Sequence, residues 1–90
     1  MKTIWVFHGN DGSFPAGLFS TEELAESWIA MHRLSGLLTC YPVDMGLYDW
    51  AVSVGRIRPL DPEDPNPEYV ANFNTDGFGH EHYRDGVKLG

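Results

Sequence analysis

Four apolar residues stand in a row at Ile4-Trp5-Val6-Phe7. On a strand, successive side chains point to opposite faces, so Trp5 and Phe7 share one face and Ile4 and Val6 the other. A strand that is apolar on both faces belongs in the middle of a sheet, and residues 2–8 are expected to form one. Gly9-Asn10-Asp11-Gly12 is dense in residues that tolerate positive φ and reads as a tight reversal. A second strand is expected over 14–19. Pro15 cannot donate to a ladder, which points to a sheet edge, and Gly17 marks a bulge or a close backbone approach.

The pattern then changes period. Leu24, Ala25, Trp28, Ile29 and His32 recur at helical spacing and predict a helix over 20–33. Ser20 with Glu23 matches a capping box, and Phe19 with Leu24 a hydrophobic staple. Glu22, Glu23 and Glu26 crowd the positive end of the helix dipole, His32 and Arg33 sit at the negative end, and Gly36 is the expected stop. Residues 37–43 read as a third strand. Running up, down, up and down, these elements set the third strand antiparallel beside the first, on the side away from the second.

Beyond residue 43, Leu47, Trp50, Ala51 and Val54 fall at helical spacing, while Trp50, Val52 and Val54 also alternate as a strand would. A helix is preferred because residues 48–51 begin the segment without turn residues. One helix covers only one face of a sheet, so the other face needs residues 46–55 or a second copy of the chain. Pro59, Pro62, Pro65 and Pro67 then exclude both helix and central strand, and 61–67 reads as an extended, acidic, Pro-rich surface loop. Pro67 suits the first turn of a short helix over 68–73, and residues 81–84 suit an edge strand. The expected architecture is a single α+β domain over 1–90. It has a small antiparallel sheet with a β-β-α-β core, strand order 2-1-3 plus an edge strand, one main helix and one or two short ones.

Composition and charge narrow this further. A chain of 90 residues buries only about 60% of its unfolded surface, so its core must be dense in large side chains. Three Trp, four Tyr and five Phe supply that density. The lone cysteine, Cys40, excludes an intramolecular disulfide and reads as a small buried hydrophobe. No signal-peptide layout opens the chain and no apolar run is long enough to span a bilayer, so a cytoplasmic location is expected. The net charge of −7 is uneven, −2 over residues 1–60 and −5 over 61–90. Such a surface repels nucleic acid and anionic membrane before contact and attracts a basic partner.

No stretch carries a catalytic or cofactor signature. His80-Glu81-His82 comes nearest to a metal-ligand pattern, since His80 and His82 would face the same side of a strand. A third ligand, such as His8 or His32, would have to arrive from elsewhere, so no metal is assigned, and a metal-dependent hydrolase is the least favoured reading. Gly9-Asn10-Asp11-Gly12 lacks the lysine and the helix N-terminus of a phosphate loop. No nucleophile has a base in register, so catalytic residues and cofactors are both expected to be none.

The last third of the chain points elsewhere. Tyr69, Phe73, Phe78 and Tyr83 alternate with seven acidic residues, and aromatic anchors ringed by acids suit a surface that holds a basic protein. The candidate contact residues are Asp61, Glu63, Asp64, Glu68, Tyr69 and Asp76. The alternative is a small-ligand pocket between helix and sheet near Trp5, His8 and Trp28, or a structural homodimer that covers the second face of the central strand.

The motifs Trp5-Val6-Phe7-His8-Gly9, Phe14-Pro15-Ala16-Gly17-Leu18-Phe19, Tyr41-Pro42 and Tyr48-Asp49-Trp50-Ala51 resemble those of a family of small stand-alone bacterial proteins of unknown function. The resemblance implies a compact α+β domain and transfers no catalytic residue. By size and charge the chain is also similar to immunity proteins that neutralise a toxin. The functional expectation is therefore a non-enzymatic, immunity-like inhibitor of a basic toxin or similar protein.

Overall fold

The computed structural model describes residues 2–75 and 77–90, which fall into two compact units, one of 2–43 with 77–90 and one of 44–75.

The first unit is built on a sheet. Its elements are β1 (Thr3–Gly9), β2 (Gly17–Phe19), α1 (Glu22–His32) and β3 (Gly36–Pro42), joined later by β4 (His80–Arg84) and β5 (Val87–Leu89). The strands are antiparallel in the order β2-β1-β3-β4-β5. This is the expected α+β topology, with the doubly apolar strand inside it. Val6 and Phe7 are both buried although they face opposite sides of β1. Trp5 pairs with Cys40 and Phe7 with Leu38, and the side carrying Phe7 packs under α1. The core there is Phe7, Ala25, Ile29, Leu38 and Tyr83, flanked by Trp5, Phe19, Trp28 and Leu34. Cys40 is half-buried with a free thiol.

The structure corrects three local expectations. The helix cap is Thr21, whose Oγ1 accepts the Leu24 N–H at 3.2 Å, so Ser20 and Glu23 form no capping box. With the cap one residue later, Leu24 falls outside the staple position and is 56% exposed. The helix ends on Arg33, in the left-handed region at φ 53°, with the Leu34 N–H reaching back to the Ile29 carbonyl at 3.0 Å. Gly36 lies beyond this end, inside β3 between Gly9 and Tyr83. A Cβ there would collide with the His8 carbonyl oxygen and come within 2.7 Å of the Phe7 ring, so glycine serves close strand packing rather than helix termination.

The third correction concerns the edge. β4 is flanked on both sides, and β5 forms the edge beyond it. Asp85 and Gly86, at φ 51° and 86°, make the two-residue turn between them, a pairing suited to the twist of a tight hairpin. The turn is tied to the end of α1. The Gly86 N–H donates to the Leu34 carbonyl at 2.8 Å, and the Asp85 N–H to Ser35 Oγ at 2.9 Å.

The second unit contains α2 (Leu47–Ser53) and α3 (Pro67–Ala71). Helical rather than strand periodicity holds over 46–55, with Ala51 as its fully buried position. In α3, Pro67 opens the first turn and Asn66 is the cap, its Oδ1 accepting the Tyr69 N–H at 3.1 Å.

Candidate functional site

The second unit holds together through a few polar pins and one aromatic group. The Tyr48 hydroxyl, carried by α2, accepts the Leu60 N–H at 2.7 Å and anchors the entry to the Pro-rich segment. Asp61 then folds the chain back. Its Oδ1 accepts the Glu63 N–H at 2.9 Å, and its carbonyl accepts the Asp64 N–H at the same distance. This turn replaces the extended course expected from the prolines, because an aspartate can hydrogen-bond its own backbone two residues on while Pro62 supplies the φ the turn requires. The rings of Tyr48, Tyr69 and Phe73 meet edge to face, with centroids 6.2 Å, 5.9 Å and 5.6 Å apart. Packing of this kind adds about 0.5–1.5 kcal/mol per pair beyond the area buried.

Between α2, the turn and α3 lies a cleft of about 450 Å³. Tyr48, Leu60, Pro62, Pro65, Pro67 and Val70 make its apolar walls, and Asp61 and Asn66 add polar atoms. Its size is within the range of pockets that hold small organic groups, about 300–1,000 Å³. The carboxylates are interleaved with these walls in sequence. Glu63 and Asp64 lie between Pro62 and Pro65, and Glu68 lies between Pro67 and Val70.

Asp61, Glu63, Asp64 and Glu68 are all exposed, and among the described residues none has a cationic partner within ion-pair distance. The bases of this unit are Arg56 and Arg58, and the Arg56 guanidinium lies 5.9 Å from the centroid of the Trp50 ring. Tyr69 is 42% exposed, so one edge of it is open while the rest closes the aromatic group. Asp76 lies outside the described residues.

The other candidates are not drawn together. Trp28 packs against Phe7 and Phe19 at 5.7 Å and 5.3 Å between centroids, and with Trp5 it borders the core on the helix side of the sheet. His8 is an odd number of residues from Trp5, so strand alternation puts it on the opposite face, beside Leu37. A pocket shared by Trp5, His8 and Trp28 is therefore not formed. His80 and His82 do share one face of β4, with ring centroids 5.4 Å apart, and His80 Nδ1 lies 3.0 Å from the Phe78 carbonyl. Among the described residues, no group of three potential ligands surrounds them or any other point. Nor is any helix among the described residues long and apolar enough to cross a membrane.

Reading the sequence for acids missed the cleft itself. Tyr48, Leu60 and Val70 come from three segments, and only the regular recurrence of proline after Pro59 hinted at a shared wall. The first unit also holds an unexpected polar group. The Tyr83 hydroxyl is buried without a hydrogen-bond partner among the described residues, and burial, followed by the nearby Glu26 charge, pushes its pKa above the ordinary 10.0. Glu26 itself pairs with Lys88 at 3.1 Å, and that hydrogen bond raises the Lys88 pKa from 10.5.

A family model described as a domain of unknown function, DUF7710, matches residues 4–89. No curated protein and no solved structure matches the chain.

Proposed function

We propose that this chain, which belongs to the DUF7710 family, is a non-enzymatic acidic binding protein whose partner is a basic protein. Its most concrete form is an immunity-like inhibitor that covers the basic surface of a toxin. The observation that carries this reading is the set of exposed carboxylates at Asp61, Glu63, Asp64 and Glu68, without cationic partners among the described residues, on a segment whose backbone is pinned by Tyr48 and Asn66. Unneutralised charge on a flexible tail would mainly confer solvation. Held on an anchored turn beside apolar walls, it keeps a fixed pattern that a complementary surface can match. Steering by such a patch raises association rates toward about 10⁸ M⁻¹s⁻¹ at low salt and fades once the screening length falls below about 8 Å. A cytoplasmic site of action fits a chain whose lone Cys40 carries a free thiol.

The test is native mass spectrometry of the protein purified from its own host at low and high salt, beside a variant carrying Asp61→Lys, Glu63→Lys, Asp64→Lys and Glu68→Lys. A basic protein should accompany the native chain, leave at high salt and be absent from the variant. Retention of every partner by the charge-reversed variant, or a bare chain in all conditions, would refute the reading.

A further inference from the structure

We infer that the cleft beside Tyr48 seats apolar side chains from a linear segment of the partner that is rich in lysine or arginine. This deepens the acidic-binding reading and rests on it.

The walls decide how a partner can enter. Pro62, Pro65 and Pro67 carry no N–H, so this side of the cleft cannot accept a peptide as an added strand, which needs a row of backbone donors. What it offers instead is rigid apolar surface. Prolines with fixed φ, a tyrosine whose hydroxyl is held by the Leu60 N–H, and a capped helix turn that presents Val70 lose little freedom when a side chain inserts. A cleft of about 450 Å³ has room for the side chains of a short peptide.

The charge selects among apolar occupants. Asp61 contributes to the lining, and Glu63, Asp64 and Glu68 alternate with lining residues, so whatever enters meets negative charge on its way in. A fatty acid or an acidic peptide is repelled. A segment whose apolar residues are flanked by cations satisfies both the walls and the acids. Asp61 keeps acceptor capacity for such a cation, since one bond to the Glu63 N–H leaves most of a carboxylate's lone pairs open.

The test is fluorescence anisotropy of the full chain with synthetic, dye-labelled hexapeptides. Lys-Lys-Leu-Phe-Lys-Lys is compared with Lys-Lys-Ser-Ser-Lys-Lys and Glu-Glu-Leu-Phe-Glu-Glu. The apolar lysine peptide should bind at least about tenfold more tightly than its serine counterpart, and the acidic peptide should not bind. Val70→Gln, at a position 38% exposed and therefore tolerant of a polar side chain, should close that gap without lowering the thermal midpoint. Equal binding of the two lysine peptides would overturn the cleft and leave the acidic surface reading standing. If no hexapeptide binds while native mass spectrometry still finds a basic partner, the linear segment is wrong and only the broader function survives. If neither binds, both fall. Binding of octylammonium ion as tight as that of the lysine peptide would replace the peptide segment with a small-cation site and overturn the inference.

Discussion

Replacing Tyr83 by phenylalanine removes one buried oxygen from the core of the first unit. Tyr83 is 5% exposed and packs with Phe7, Ala25, Ile29 and Leu38 beneath α1, and its hydroxyl has no hydrogen-bond partner among the described residues. A buried unsatisfied hydroxyl costs about 1–3 kcal/mol, whereas the ring contributes the same packing with or without it. Tyr83→Phe is therefore expected to stabilise the fold by about 1 kcal/mol, the lower end because the lost oxygen leaves a small void. For a chain of this length that is a rise in thermal midpoint of about 4–8 °C.

The pH dependence supplies a second signature. Burial, and then Glu26, hold the Tyr83 pKa above 10.0 in the folded state, so the unfolded chain loses that proton first as the solution becomes alkaline. The folded state then binds more protons than the unfolded one, and stability falls as pH rises past the ordinary tyrosine value. Lys88, whose pKa is raised chiefly by its hydrogen bond to Glu26, adds a loss in the same direction, most of which the substitution leaves in place. The advantage of Tyr83→Phe should thus widen above pH 10 without abolishing alkaline sensitivity. Urea melts followed by tryptophan fluorescence, at neutral and alkaline pH, read both effects. A loss of about 1 kcal/mol at neutral pH would refute the reasoning, because it would mean the hydroxyl is satisfied and contributes to the fold.

Other substitutions test the corrected local geometry. Thr21→Ala should cost about 1 kcal/mol in a urea melt and Ser20→Ala much less; the reverse ranking would restore the capping box on Ser20. Gly36→Ala should lower the unfolding free energy from a urea melt by about 1–3 kcal/mol, since the new methyl meets the His8 carbonyl and the Phe7 ring, and an unchanged stability would show that the strands can separate freely there. Arg33→Gly should raise the unfolding free energy modestly, by up to about 1 kcal/mol in a urea melt, because a left-handed residue without a Cβ is unstrained at the helix end, and a fall would show that the arginine side chain contributes more than its backbone strain costs.

The local pattern of this chain was enough to place its central strand, its main helix and the strand order 2-1-3, because each depends on periodicity and on the direction in which short connections must run. Periodicity alone left 46–55 open between helix and strand, and the lack of turn residues at its start decided for the helix that forms. The exposure of Asp61, Glu63, Asp64 and Glu68 was legible because charged residues among prolines have nowhere to be buried. The Asp85-Gly86 pair is a local hairpin signal, and the turn it makes adds β5 as the edge beyond β4. Other features depend on neighbours distant in the chain. Gly36 could be read as a helix stop until its partners, Gly9 and Tyr83, showed how little space the strands leave. Tyr83 looked like one more aromatic among acids, and only the packing under α1 stranded its hydroxyl. The cleft needed Tyr48, Leu60 and Val70 to converge from segments with no shared period. Sequence determines which side chains face together along one element, because that geometry repeats; the side chains that meet across elements are set by the tertiary structure, where distance no longer follows residue number.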